Sequence, residues 1–143
     1  MPVLEDAILL AVGAHRGQVD KGGHPYVLHP LRVMLRMDSE MERMVAALHD
    51  LIEDTSYTSE DLVRLGYPEV VVRTVECLTR RASETYEQFI TRVKQDPLAR
   101  RVKIADLEDN LDLGRMSRPS ERDLERAEKY RRALVDLRGC SIP

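Results

Sequence analysis

The sequence predicts an all-α, single-domain protein, on three grounds. Apolar residues recur at helical spacing, in the first half over Leu4 to His15, Leu28 to Met37 and Glu40 to Ile52. Helix-start signals then repeat through the second half. The apolar content of 43% is rich in Leu, Val and Ala, with only 4% aromatics and no Trp, a balance that suits packed helices better than a sandwich or barrel. A chain of 143 residues can bury one core and not comfortably two, and no repeat or linker divides it.

After the first three helices, Thr58 with Asp61 forms a capping-box pattern, Pro68 can occupy a first helical turn, and Thr85 with Gln88 repeats the capping pattern. Asp96-Pro97 is a cap followed by a proline start, leading into a long helix to about Leu113. Ser120 with Asp123 opens the last helix, to about Arg138, which makes about eight in all. Between the first two helices, the glycines and proline of the stretch from Gly17 to Tyr26 oppose helix and predict a shaped loop.

A formal charge of −3 and a pI near 5.8 lack the basic footprint of a general nucleic-acid binder. Cys77 and Cys140 are too few and too far apart for a disulfide framework and lack zinc-pair spacing. The segment from Met1 to Ala14 carries acids where a signal peptide needs a basic segment, and its apolar run is too short to span a bilayer. A soluble, cytoplasmic protein without membrane or nucleic-acid partners is expected; the oligomeric state stays open.

Chemistry concentrates in three segments. In the third helix His49 and Glu53, like Asp50 and Asp54, are four residues apart, directly behind the apolar Met44 to Leu48. Four ionisable groups there are costly to desolvate unless a cation compensates them; the plain alternative is a helix end emerging into solvent. His29 lies in Pro25-Tyr26-Val27-Leu28-His29-Pro30, where Pro30 can begin the second helix; alone, such a histidine is more often a hydrogen-bonded core or cap residue. Lys103, Asp106 and Asn110 share one face of the seventh helix, although the neighbouring Arg100, Arg101, Glu108 and Asp109 equally suit a solvated face. Together His29, His49, Asp50 and Asp106 form a mixed nitrogen and oxygen set suited to a divalent transition ion, Mn2+ or Fe2+ before Zn2+ or Co2+.

These segments, in this order, resemble the HD superfamily, specifically the hydrolase domain of RelA/SpoT-type enzymes and the small alarmone hydrolases. The likeness also takes in Ala14-His15-Arg16-Gly17-Gln18, the run from Ala47 to Thr55, Leu78-Thr79 and Lys103 to Asn110. It implies an HD-type helical bundle over residues 1–143 in which His29, His49, Asp50 and Asp106 bind one metal ion, typically Mn2+. Glu53 and Asp54 would assist the attacking water. Lys21, Asn110 and an aromatic of the last helix, here Tyr130, would lie around the nucleotide, and the reaction would remove the 3'-pyrophosphate of guanosine tetra- or pentaphosphate. Lys21 and Lys103 would supply positive charge to a substrate with several phosphates, although Lys103 reads equally well as a helix-surface lysine.

The likeness has one gap. The family's loop carries Arg-Lys before its glycine, whereas this chain has Asp20-Lys21, and an acid there removes a stacking cation and repels phosphate. A general HD nucleotide phosphohydrolase, or a nucleotide-sensing module without turnover, are the alternatives to (p)ppGpp hydrolysis. Gly22-Gly23 reads as an ordinary turn, His15 as packing the end of the first helix, and His24 as solvent-exposed. The alternating charges of the last helix read as intrahelical pairs.

Overall fold

The computed structural model describes residues 1–112, 116 and 118–139; Cys140, Leu113 at the expected end of the long helix, and part of the connection expected from Gly114 to Ser120 lie outside them. Among these residues there are nine α-helical segments and no strand: α1 (Leu4–Ala14), α2 (Leu28–Leu35), α3 (Glu40–Leu48), α4 (Leu51–Asp54), α5 (Ser59–Arg64), α6 (Glu69–Cys77), α7 (Tyr86–Lys94), α8 (Pro97–Asn110) and α9 (Glu121–Gly139). The expected all-α fold is therefore found.

The capping residues start their helices for the expected reason: a side-chain oxygen takes a backbone N–H that has no partner in the first turn. Thr58 accepts from Asp61, Thr85 from Gln88, and Asp96 from both Leu98 and Ala99 ahead of Pro97. Ser120 and Asp123 bond reciprocally at 3.1 and 2.8 Å. A further box, Ser39 with Glu42, starts α3. Pro68 is the N-cap of α6, at φ −58° and ψ 149°, one residue before the turn it was expected to occupy. Helices α2 and α8 end earlier than their apolar patterns, at Leu35 and Asn110.

The main departure is in the third expected helix, which does not run unbroken to Ile52. It stops at Leu48, and α4 resumes at Leu51 after Asp50 takes φ −99° and ψ 3°. At the break the backbone N–H and the Nδ1 of His49 both turn to the Ala46 carbonyl, at 3.4 and 2.6 Å, so the regular four-residue ladder is not continued.

Helix α3 is central, with Val45, Ala46, Ala47 and Leu48 fully buried, and it packs against α1, α2, α6 and α8. Leu51, Leu62, Val71, Val75, Val93, Val102, Leu107 and Leu137 complete the core. Each such side chain contributes roughly 1.5–3 kcal/mol of burial, enough to hold a polar break against it. Helix α9 closes over α7 and α8, tied by Lys94–Asp136 at 2.6 Å and by an Arg138–Glu108 pair. No helix among the described residues is long and apolar enough to cross a membrane.

Candidate metal centre

The break in α3 positions the centre. His49 and Asp50 occupy it, held by the apolar residues on either side, while His29 enters from α2 and Asp106 from α8. Helix α2 starts at Leu28, so Pro30 is its third residue rather than its first; the proline is tolerated because that N–H would have no intrahelical partner.

Both imidazoles are oriented from behind. His29 directs Nδ1 to Asp109 at 2.6 Å, and His49 directs Nδ1 to the Ala46 carbonyl at 2.6 Å. A carbonyl or ionised carboxylate only accepts, so each Nδ1 carries hydrogen and each Nε2 faces the centre. There the Nε2 of His29 lies 2.8 Å from Asp106 Oδ1 and 3.6 Å from Asp50 Oδ2. The Nε2 of His49 lies 3.3 Å from Asp106 Oδ1 and 3.2 Å from Asp50 Oδ2. One ligand atom each from His29, His49 and Asp50 falls within 4.8 Å of the others. With Nδ1 already protonated, two nitrogen lone pairs and two carboxylates converge, an arrangement that repels itself unless protons or a cation lie between them. The residues thus fit a divalent ion, and the outer hydrogen bonds are of the kind that fix ligating histidines.

The electrostatics agree. Burial disfavours charge on His29, but its bonds to Asp106 and Asp109 outweigh it and raise the pKa to about 9. His49 is likewise raised, burial being overcome by Asp50 and Asp106. Asp50 is lowered to about 2, against burial, chiefly by His49. Asp106 is also held well below the usual range, against burial, by Lys103 and both histidines.

Lys103 is not a surface lysine: its ammonium is 2.8 Å from Asp106 Oδ2 and 5.2 Å from the Phe89 ring centroid, with 14% of the side chain exposed. Asn110 donates to Asp106 Oδ1 at 3.1 Å. A cavity of about 490 Å3 opens over the centre, lined by Lys21, Tyr26, Asp50, Glu53, Asp54, Lys103, Asp106, Asn110, Arg126 and Tyr130. All the expected site residues therefore face it or, for the two histidines, are buried behind it. Glu53 is anchored by the Arg80 N–H at 3.2 Å, and partial burial in the cavity mouth raises its pKa and that of Asp54. Lys21 is engaged by Asp123 at 2.5 Å. Asp20 turns its carboxylate onto the N–H groups of Gly22 and His24, both at 2.9 Å, and so shapes the loop.

Two participants have a role that their sequence context hides. Asp109, grouped above with solvated charges, is 1% exposed and receives Arg32 as well as His29. Its position three residues after Asp106, on the same face, was the available signal. Tyr26 donates its hydroxyl to Asp50 at 2.5 Å and lies 3.4 Å from Asp54. His15 is buried with Nδ1 on Gln18, as expected, and His24 is exposed.

No family model matches the chain. It is 31% identical over 134 residues to the bifunctional (p)ppGpp synthase/hydrolase SpoT of Escherichia coli K12, a match covering 83% of this chain and 19% of that protein. It is 34% identical over 122 residues to a GTP pyrophosphokinase of Streptomyces coelicolor, covering 76% of this chain and 14% of the relative. The chain thus spans less than a fifth of the length of these relatives. Among solved structures it resembles a metazoan ortholog of SpoT that hydrolyses ppGpp, with a TM-score of 0.77, 25% identity, and coverage of 94% of this chain and 84% of the other. The fold is all-helical and matches the HD-type helical hydrolase fold. The chain is a homologue of the SpoT/RelA-type (p)ppGpp hydrolase/synthetase proteins.

Proposed function

We propose that residues 1–143 form a single metal-dependent phosphohydrolase domain that acts on a phosphorylated nucleotide, with guanosine 3',5'-bis(diphosphate) as the substrate and its 3'-pyrophosphate as the group removed. The observation that carries this reading is the convergence of two outward-fixed Nε2 atoms with Asp50 and Asp106 at the base of a cavity that also bears Glu53 and Asp54. The hydrolase and synthase names of the relatives support the substrate class.

His29, His49, Asp50 and Asp106 would hold one divalent ion, and a nitrogen and oxygen set without thiolate suits Mn2+. When bound, such an ion lowers the pKa of water and offsets charge developing on a phosphoryl oxygen. Lys103 occupies the second oxygen of Asp106 and so fixes which oxygen faces the centre. Glu53, with its pKa raised and one oxygen held by the Arg80 N–H, would accept a proton from water and return it to the leaving group. Asp54 shares this work beside Tyr26. Lys21, Asn110 and Tyr130 would surround the nucleotide, the first by charge, the second by its amide, the third as a ring on which a base can stack.

A broader nucleotide phosphohydrolase is the second reading, favoured by Asp20, which stands in the loop at the cavity edge where the family's loop presents an arginine and spends its carboxylate on that loop's own N–H groups. The deciding experiment is Mn2+-dependent release of pyrophosphate by the purified chain from ppGpp and from a panel of other nucleotides. Release from ppGpp alone supports the first reading, and release across the panel supports the second. Metal-loaded protein that turns over nothing would leave a nucleotide sensor.

A further inference from the structure

Glu53 sits exposed on the single turn of α4, where little packing holds its side chain. What holds it is the Arg80 N–H, at 3.2 Å, in the loop between α6 and α7. The other end of that same peptide unit, the Thr79 carbonyl, accepts from the Arg92 guanidinium at 3.0 Å. A trans peptide is planar and directs its C=O and N–H to opposite sides, so fixing the carbonyl on Arg92 aims the N–H at Glu53. A cation on the carbonyl also polarises the peptide and strengthens its N–H as a donor.

Arg92 stands near the end of α7 and lines a separate cavity of about 470 Å3. Its guanidinium is itself firmly set. It donates to the Cys77 carbonyl at 2.9 Å and to the two carboxylate oxygens of Glu84 at 3.1 and 2.7 Å. Glu84 ties the same loop a second time by accepting the Arg81 N–H at 2.9 Å. The Phe89 ring centroid lies 5.5 Å from the Arg92 guanidinium and 5.2 Å from the Lys103 ammonium, so one ring backs both the cation on Asp106 and the cation behind Glu53. The Arg92 and Glu84 side chains are 20% and 11% exposed. Taking two charges that far out of water costs free energy that an apolar pair would not, so the pair is a poor means of joining segments. A planar fork of donors is a good means of fixing direction.

We propose that Arg92, held by Glu84, is a positioning residue of the hydrolytic site: through the Thr79–Arg80 peptide it fixes the Glu53 carboxylate at the cavity without touching substrate. The inference rests on the reading given under Proposed function, in which Glu53 carries the proton. It deepens that reading by naming what keeps the carboxylate in place.

The test is a double-mutant cycle on Mn2+-dependent pyrophosphate release from ppGpp, with Arg92→Lys made in the wild type and in Glu53→Ala. Lysine keeps the charge and loses the fork. In the wild type it is expected to lower kcat roughly 10- to 100-fold, within what a proton-transfer step carries, with KM and the Mn2+ affinity read by titration unchanged. In Glu53→Ala it should change kcat by less than about twofold, because substitutions that act through one group do not add. The acid limb of the kcat profile should move to higher pH, since the lost N–H favours the ionised Glu53 carboxylate. Glu84→Gln, which loosens Arg92 without removing it, should give the same pattern at smaller size, and it carries the test if Arg92→Lys does not fold. Substitutions that keep the wild-type kcat, or lower it equally in both backgrounds, would overturn the positioning role and leave the hydrolytic reading standing. A wild type that releases nothing from ppGpp would overturn both.

Discussion

His29 and His49 show how much of the centre depends on atoms that never touch the reacting groups. Each ring is useful because its Nδ1 is already committed, to Asp109 or to the Ala46 carbonyl. Asp109→Ala is therefore expected to weaken Mn2+ binding roughly 10–100-fold while leaving all four proposed ligands in place, as a metal titration would show. Glu53→Ala should spare the metal and lower the rate of hydrolysis roughly 10^2- to 10^4-fold, measured as pyrophosphate release. The raised pKa of His29 sets a pH dependence. In metal-free protein its protonated form contributes stability that is fully present below its ordinary value near 6.5 and is lost as the pH rises through about 9. The melting temperature of chelator-treated protein should fall over that window. Mn2+ affinity should rise over the same window, by about tenfold per pH unit for each proton displaced. At this scale the sequence disclosed the candidate ligands through residue type and order. It did not disclose Asp109 or Tyr26, because a buried carboxylate and a solvated one look alike until the partner helix is placed.

Among the elements, capping chemistry was the most legible: Thr58, Thr85, Asp96 and Ser120 all act at the helix starts where short-range hydrogen bonding put them. The division of α3 from α4 was not legible, since apolar spacing continues from Met44 to Ile52 across the break. What breaks the helix is the competition at His49, whose ring nitrogen claims a carbonyl of its own helix. The break survives because Leu48 and Leu51, on either side of it, are both fully buried. Leu48→Ala is accordingly expected to cost roughly 2–5 kcal/mol in denaturant unfolding and to weaken metal binding as well, because it loosens the anchor next to His49.

For the whole molecule, helix α8 is the spine of the site: one face carries Asp106 and Asp109 to His29, far earlier in the chain, while Lys103 and Asn110 of the same helix hold Asp106 from either side. The all-α class could be read from composition and periodicity, and the resemblance to the HD superfamily from ordered motifs. The closure of α9 over the cavity could not, because it depends on pairs such as Lys21–Asp123 and Lys94–Asp136 between distant segments. That closure turns charges expected to pair within one helix into part of a cavity wall. The central claim is that these helices converge on one divalent ion. Its most direct test is anomalous diffraction at the manganese edge from crystals grown with Mn2+, with His49→Ala as the comparison. The expected result is one peak at roughly 2.0–2.3 Å from His29 Nε2, His49 Nε2 and oxygens of Asp50 and Asp106, absent in the variant. A peak elsewhere, or one that survives loss of His49 unchanged, would contradict it.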